Sequence, residues 1–391
     1  MRRLAVVLVL VLAGTVWPAA GGLADRSTTT QATGGLQGDF NNDGFADLAV
    51  GVFGENLAAA ANGGAVDVLY GTASGLTGTG SQLFTQDNPG VPGGVEPDDE
   101  FGFALGAGDF NRDRFADLAV GAPGEDFVGA ADRGGVVNVL RGSAGGLTGA
   151  GSQLFTQDSP GVPGVAETGD NFGLALTGGG DFEGDGFVDL AVGSAEDVGT
   201  AEDAGAVNTL RGSAGGLTGT GGRLLTQDSP GVPGFAEQND GFGAFVQAAG
   251  DFNGDRLADL AVGVAETFGG IAAAGAVSIL PGSAGGLTGS GSQLLTQDSP
   301  GVPDSAEELD QFGSSLASGA FDNDRFVDLA VGVVGEDVGT FQDAGAVNVL
   351  RGSAGGLPGP GSQLFTQDSP GVPDSVEFDD FFGEALASSG P

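Results

Sequence analysis

Apolar residues along this chain come in short bursts, set apart by stretches rich in glycine, aspartate, serine and proline. The bursts repeat. The peptide DLAVG starts at Asp47, Asp117, Asp189, Asp259 and Asp328, and a second burst, AVNVLRG or a close variant, starts at Ala65, Val136, Ala206, Ala276 and Ala346. The polar peptide TQDxPGVP keeps the same period, starting at Thr85, Thr156, Thr226, Thr296 and Thr366 with spacings of 71, 70, 70 and 70 residues. A fixed period over five copies marks a solenoid, a propeller or an array. In the second unit the pattern predicts four strands, at 101–106, 115–121, Val136–Arg141 and 153–157, with turn residues between them.

The strands at Leu118-Ala119-Val120 and from Val136 to Leu140 are nearly continuous in apolar character. A sheet with one wet face would alternate, so these strands are expected to be covered on both sides. Four-stranded sheets stacked face to face around an axis satisfy that demand. No 3.6-residue apolar period persists, which argues against a helical solenoid. The shorter coil of a parallel β-helix, about 20–25 residues, does not show inside the unit. The predicted fold class is therefore all-β, a β-propeller of four-stranded blades built from five units of about 70 residues. The first unit has no Phe-Gly strand ahead of Asp39, whereas 382–390 supply one at the other end. That C-terminal strand is expected to complete the first blade and close a ring of five; the alternative is a truncated set from a longer array.

The N-terminus reads differently from the repeats. Arg2 and Arg3 precede an apolar run at 4–16 and then small residues around 19–24. This is the pattern of a secretory signal peptide, and the run is shorter than the ~20 residues needed to span a bilayer. The expected organisation is a signal peptide at 1–24, a linker at 25–38 and the propeller at 39–391, with a secreted or cell-surface location and no membrane span after cleavage.

Charge and composition then narrow the chemistry. There are 52 acidic residues against 12 basic ones, every basic residue is arginine, and the net charge is −40. Removing Arg2 and Arg3 with the signal takes the formal charge to −42 (−40 less two positive charges). Such a surface repels nucleic acid and anionic membranes and attracts divalent cations. Histidine, lysine and cysteine are absent, which removes the commonest general base, the Schiff-base amine and the thiol nucleophile. Without cysteine there is no disulfide framework, and the fold must hold by packing, alone or together with metal.

An acidic loop precedes every DLAVG. The first is Asp39-Phe40-Asn41-Asn42-Asp43-Gly44-Phe45-Ala46-Asp47, with side-chain oxygens at loop positions 1, 3, 5 and 9. Position 7 can offer a backbone carbonyl. Hard cations such as Ca2+ take six to eight oxygens at about 2.3–2.6 Å, and a tight turn of alternating Asp and Asn collects them on its inside. The candidate ligands are thus Asp39, Asn41, Asp43, Phe45 and Asp47; Asp109, Asn111, Asp113, Phe115 and Asp117; Asp181, Glu183, Asp185, Phe187 and Asp189; and Asp251, Asn253, Asp255, Leu257 and Asp259. The final aspartate is expected to bind with both oxygens. In the fifth loop Ala320 replaces the first ligand, leaving Asp322, Asp324 and Asp328 and a weak site or none. Position 6 calls for a left-handed backbone, and glycine stands there only in loops one and three (Gly44, Gly186), arginine in the others. Loop one is therefore expected to be the best site. An EF-hand is excluded, because it needs a glutamate at position 12, where Val50 stands. The competing interpretation of each loop is a set of Asx turns whose carboxylates face water.

Phe101-Gly102, GDFNRDRFADLAVGAP and GVVNVLRG together resemble the FG-GAP repeat of integrin α-subunit heads, of related bacterial surface proteins and of some lectin propellers. The resemblance recurs in register from Asp39 to Gly390. It implies a propeller with calcium in the hairpin loops between the first two strands of several blades, and an unknown protein or glycan ligand on the opposite face. The function expected is a non-enzymatic adhesion or ligand-binding module stiffened by Ca2+, with no catalytic residues and no organic cofactor. The alternatives are a lectin, for which aromatic platforms are scarce, and less plausibly a hydrolase or lyase. The carboxylates of Glu125-Asp126, Glu196-Asp197 and Glu336-Asp337 are expected to form a solvated acidic rim. The aspartates of TQDSPGVP (Asp158, Asp228, Asp298, Asp368) are expected to serve only their turns.

Overall fold

The computed structural model of the protein describes residues 38–57, 60–126, 132–243, 247–265 and 270–386. The expected signal peptide and residues 25–37 of the linker lie outside that set. Among the described residues every regular element is a strand, and no helix is long and apolar enough to cross a membrane.

The strands form five sheets in chain order. The first holds β1 (Leu48–Val52), β2 (Ala65–Tyr70) and β3 (Thr77–Phe84). The second holds β4 (Leu105–Gly108), β5 (Asp117–Ala122), β6 (Val136–Arg141) and β7 (Thr148–Phe155). The third is β8 (Ala175–Gly180), β9 (Asp189–Ser194), β10 (Ala206–Leu210) and β11 (Leu224–Leu225). The fourth is β12 (Gln247–Gly250), β13 (Asp259–Val264), β14 (Ala276–Leu280) and β15 (Gln293–Leu295). The fifth is β16 (Phe312–Gly319), β17 (Asp328–Val333), β18 (Ala346–Arg351) and β19 (Gly359–Phe365). Each is an antiparallel meander, with Val120 of β5, for instance, opposite Leu105 on one side and Asn138 on the other. These are the blades of a propeller, and the antiparallel order rules out the β-helix.

The apolar runs fill the spaces between sheets. Leu118 and Val120 of β5 belong to a cluster with Val66, Val68 and Phe84 of the first sheet. Ala119, between them in sequence, faces the other way, into a cluster with Leu190 and Val192 of the third. Equivalent clusters lie between the third and fourth sheets and between the fourth and fifth. Every residue of β5, β9, β13 and β17 is buried, because both sides of the strand are core. Period-2 geometry is intact here; the run looks continuous only because both faces are apolar.

The Phe-Gly element differs from expectation. It is not the start of the first strand in the second blade, which begins at Leu105. Phe101 is fully buried and makes a single parallel bridge with Gly64 of the preceding unit. Gly102 has φ +92° and donates its N–H to the Gly121 carbonyl of its own sheet at 3.0 Å. A left-handed residue breaks the strand path, so the pair acts as a joint between blades. The glycine of DLAVG makes room for it: a Cβ on Gly121 would overlap the carbonyl of Gly173, the next joint along, and Gly51 meets Gly102 in the same way. The fourth strand starts earlier than predicted, at Thr148.

At the C-terminus, Phe382 donates its N–H to the Ala344 carbonyl at 2.9 Å, and Phe382 and Leu386 pack on Ala317, Ala330 and Val347 of the fifth sheet. Through Leu386 the segment therefore repeats the joint on the fifth blade. The first sheet has three strands, and 387–390, the remainder of the strand expected to complete it, lie outside the described residues.

Candidate metal centre

All five acidic loops are the connections leading into the second strand of a blade, and they lie side by side. The Asp39 carbonyl accepts the N–H of Ala116 in the second loop at 3.1 Å. The Asp181 carbonyl accepts Ala258 N–H in the fourth at 3.0 Å, and the Asp251 carbonyl accepts Val327 N–H in the fifth at 3.0 Å. The second and third loops meet where the Arg112 guanidinium lies 5.6 Å from the centre of the Phe187 ring. The repeat thus brings its oxygen-rich turns into one row on one end of the sheets.

Within a loop, position 1 organises the turn. The two carboxylate oxygens of Asp39 accept the N–H groups of Asp43 (3.1 Å) and Gly44 (2.9 Å). Asp109 does the same for Asp113 and Arg114, Asp181 for Asp185 and Gly186, and Asp251 for Asp255 and Arg256. Accepting the position-6 amide requires a left-handed residue, and Gly44, Arg114, Gly186 and Arg256 have φ of +89°, +81°, +87° and +77°. The fifth loop, with Ala320 at position 1, has no such acceptor, and Arg325 is not left-handed there. Arginine at position 6 therefore pays backbone strain of about 1 kcal/mol only where an aspartate demands it.

The remaining positions follow the same plan. Asn41, Asn111 and Asn253 at position 3 accept the position-5 N–H through Oδ1. Asp43, Asp113, Asp185, Asp255 and Asp324 at position 5 accept the position-7 N–H of Phe45, Phe115, Phe187, Leu257 and Phe326. These are Asx turns, but the position-9 carboxylates, and Asp39 at position 1 of the first loop, do not face water, whereas Asp109, Asp181 and Asp251 are half-buried. Asp39 is 2 % exposed, and the position-9 residues Asp47, Asp117, Asp189, Asp259 and Asp328 are 0–2 % exposed.

Position 9 is a staple between elements. Asp259 Oδ2 accepts Phe252 N–H at 3.1 Å and Oδ1 accepts Gly282 N–H at 3.0 Å, just beyond β14. Asp47, Asp189 and Asp328 hold the corresponding pairs, and Asp117 accepts Gly142 N–H. The amides leave each oxygen a second lone pair for a cation. Burial pushes the Asp47 carboxyl up to about 6 and those of Asp117 and Asp259 up to about 7, with the charges of Asp39 and Asp43, or their counterparts, adding to it. Asp189 is raised by burial and then by its neighbour Glu183. These carboxylates are crowded and partly dried, a state that a bound cation relieves.

The third loop has the tightest convergence. Carboxylate oxygens of Asp181, Glu183 and Asp189 lie within 4.8 Å of one another. An ion holding each oxygen at about 2.3–2.6 Å keeps them no more than about 5 Å apart, so the spacing suits a hard divalent cation.

A second set of buried acids was missed in the sequence. Glu336 is buried and Glu125 and Glu196 are half-buried, whereas only Asp126, Asp197 and Asp337 are exposed. The solvated rim is corrected accordingly. Gln86, Gln157 and Gln297, from TQD of the preceding unit, donate Nε2–H to these glutamates. Glu125 and Glu196 are pushed up to about 7 by burial and then by the nearby Asp99 or Asp170. The glutamine of TQD and the aspartate two residues before Phe-Gly recur in every unit; that joint recurrence was the available signal. The TQD aspartates do serve turns: Asp158, Asp228, Asp298 and Asp368 each accept the N–H eight residues on, at 3.1–3.2 Å.

Comparison with known proteins places this architecture. The FG-GAP repeat family model matches residues 101–139 and 242–280. The integrin alpha-E of Mus musculus is 45% identical over 97 residues, 24% of this chain and 8% of the integrin. Integrin alpha-3 of Cricetulus griseus is 34% identical over 160 residues, 41% of this chain and 13% of its own length. The phosphatidylinositol-glycan-specific phospholipase D of Rattus norvegicus is 41% identical over 85 residues, 22% of this chain and 10% of the relative. The chain thus corresponds to a small part, 8–13%, of these curated relatives.

Proposed function

This chain is a β-propeller built of FG-GAP repeats, and from that premise we propose that it is a secreted, calcium-binding adhesion or ligand-binding module without catalytic activity. The observation that carries the reading is the row of acidic hairpin loops on one end of the blades, each ending in an aspartate only 0–2 % exposed. Where a hairpin takes calcium, the ion supplies positive charge that ties it to the strands behind it. Asp39, Asn41, Asp43 and Asp47, or the same positions of another loop open to the ion, would hold it. A stiffened row of loops at one end leaves the turns at the other to present a fixed surface to a protein or glycan. The similarity to integrin α chains supports a binding role. The similarity to a phospholipase D is equally partial.

Thermal melting of the metal-stripped protein, with calcium and with chelator, tests the reading. Calcium is expected to raise the melting temperature by several degrees, and magnesium by less. A midpoint indifferent to both would remove calcium from the account.

A further inference from the structure

One repeat position faces the acidic loops and varies among them: the residue at, or directly after, the end of the third strand of each blade. It is Tyr70, Arg141, Arg211, Pro281 and Arg351 in successive units. Wherever it is arginine, the guanidinium contacts a carboxylate of its own loop's expected ligand set. Arg141 Nη1 lies 3.4 Å from Asp117 Oδ2, and Arg351 Nη1 lies 3.0 Å from Asp322 Oδ2. Arg211 Nε donates to Glu183 Oε1. Among the described residues these are three of four ion pairs, the fourth joining Arg133 to Glu100 away from the loops. Arginines within the loops behave differently: Arg112 lies over the Phe187 ring and Arg325 over the Phe326 ring. Contact with the ligand set is therefore a property of the strand-end position.

A guanidinium placed there neutralises one carboxylate and occupies an oxygen that a metal would use. A divalent ion must displace it or sit beside a fixed positive charge, which opposes binding. Loops one and four have no such cation. Proline carries none, and the Tyr70 hydroxyl is engaged with Gln82 and with Leu147 N–H. We propose that the strand-end residue sorts the five loops into two classes: the first and fourth take a divalent cation, while the second, third and fifth are held by the chain's own arginine. The inference rests on the calcium reading above. It makes the third loop a latent site, because its three carboxylates already have suitable spacing.

Calorimetric titration of calcium into the metal-stripped full chain tests the division. The wild type is expected to show two sites. Arg211→Met removes a side chain whose described polar contact is Glu183; it should add a third site or strengthen that loop by about tenfold or more. Pro281→Arg places arginine where three other units carry it and should leave one site. It is compatible with the backbone, since Pro281 and Arg211 both accept a threonine N–H at this point. Four or five equivalent sites in the wild type, or a count and affinity unchanged in both variants, would overturn the sorting while leaving calcium binding intact. No binding by any of the three proteins would remove the calcium reading itself.

Discussion

Asp259 has two jobs that can be separated by experiment. Its carboxylate is a candidate calcium ligand, and it also accepts two buried backbone amides, from Phe252 and Gly282. Truncation strands those donors whether or not metal is present, at roughly 1–3 kcal/mol for each buried group left unpaired. Asp259→Ala is therefore expected to lower stability by about 2–4 kcal/mol in urea unfolding even with chelator, and to abolish any calcium effect at the fourth loop. Asp255→Ala, at an exposed position 5, should spare the chelated protein and weaken only calcium binding. The second acidic set carries a pH signature. Glu125 and Glu196 sit near 7 in the fold against an ordinary value of 4.5. Between those limits the folded protein holds protons that the unfolded chain has released, so stability falls as pH rises from about 4.5 to about 7 and levels off above it. Melting scans of the metal-free protein should show a higher midpoint at pH 5 than at pH 7.5. Gln substitution at both glutamates should reduce the difference, the raised aspartates at position 9 carrying the rest.

At the scale of elements, the joint between blades is the distinctive device. Phe101 fills the core of one boundary while Gly102 bonds back to β5, and Gly121 gives the next joint its space. Gly121→Ala is expected to cost about 2–3 kcal/mol by overpacking against the backbone of Gly173, read as a lower unfolding midpoint. The second and third strands of the second to fifth blades were legible in the sequence, because their residues are largely buried on both faces and leave a nearly continuous apolar run. The first strand of the second blade was placed too early, since Phe-Gly has strand-like composition and its left-handed glycine is invisible without backbone angles; in the fifth blade β16 does begin at Phe312, with a register shift before Leu316. The loops were legible from spacing alone. Their burial was not, because nothing local shows that Asp47 or Asp117 reaches the amide following the third strand, 24 or 25 residues away. The glutamine–glutamate contacts were hidden for a similar reason: Gln86 and Glu125 are 39 residues apart and belong to neighbouring blades.

At the scale of the molecule, charge and assembly pull against each other. A net charge of −40 makes the folded chain repel itself, and the repulsion is screened by salt. Raising NaCl is expected to stabilise the metal-free protein, and calcium to do so at far lower concentration, because it binds at the loops rather than screening from solution. The blades pack in sequence, each described boundary closed by an apolar cluster, with a loop-to-loop backbone bond at the first, third and fourth and the Arg112–Phe187 contact at the second. Stiffening one loop should therefore be felt by its neighbours. Hydrogen exchange across the five loops, followed by mass spectrometry with calcium and with chelator, tests this account most directly. Calcium should slow exchange most at 39–47 and 251–259, less at the loops carrying arginine, and little in the turns at the far end. Equal exchange in all five loops under both conditions would contradict it.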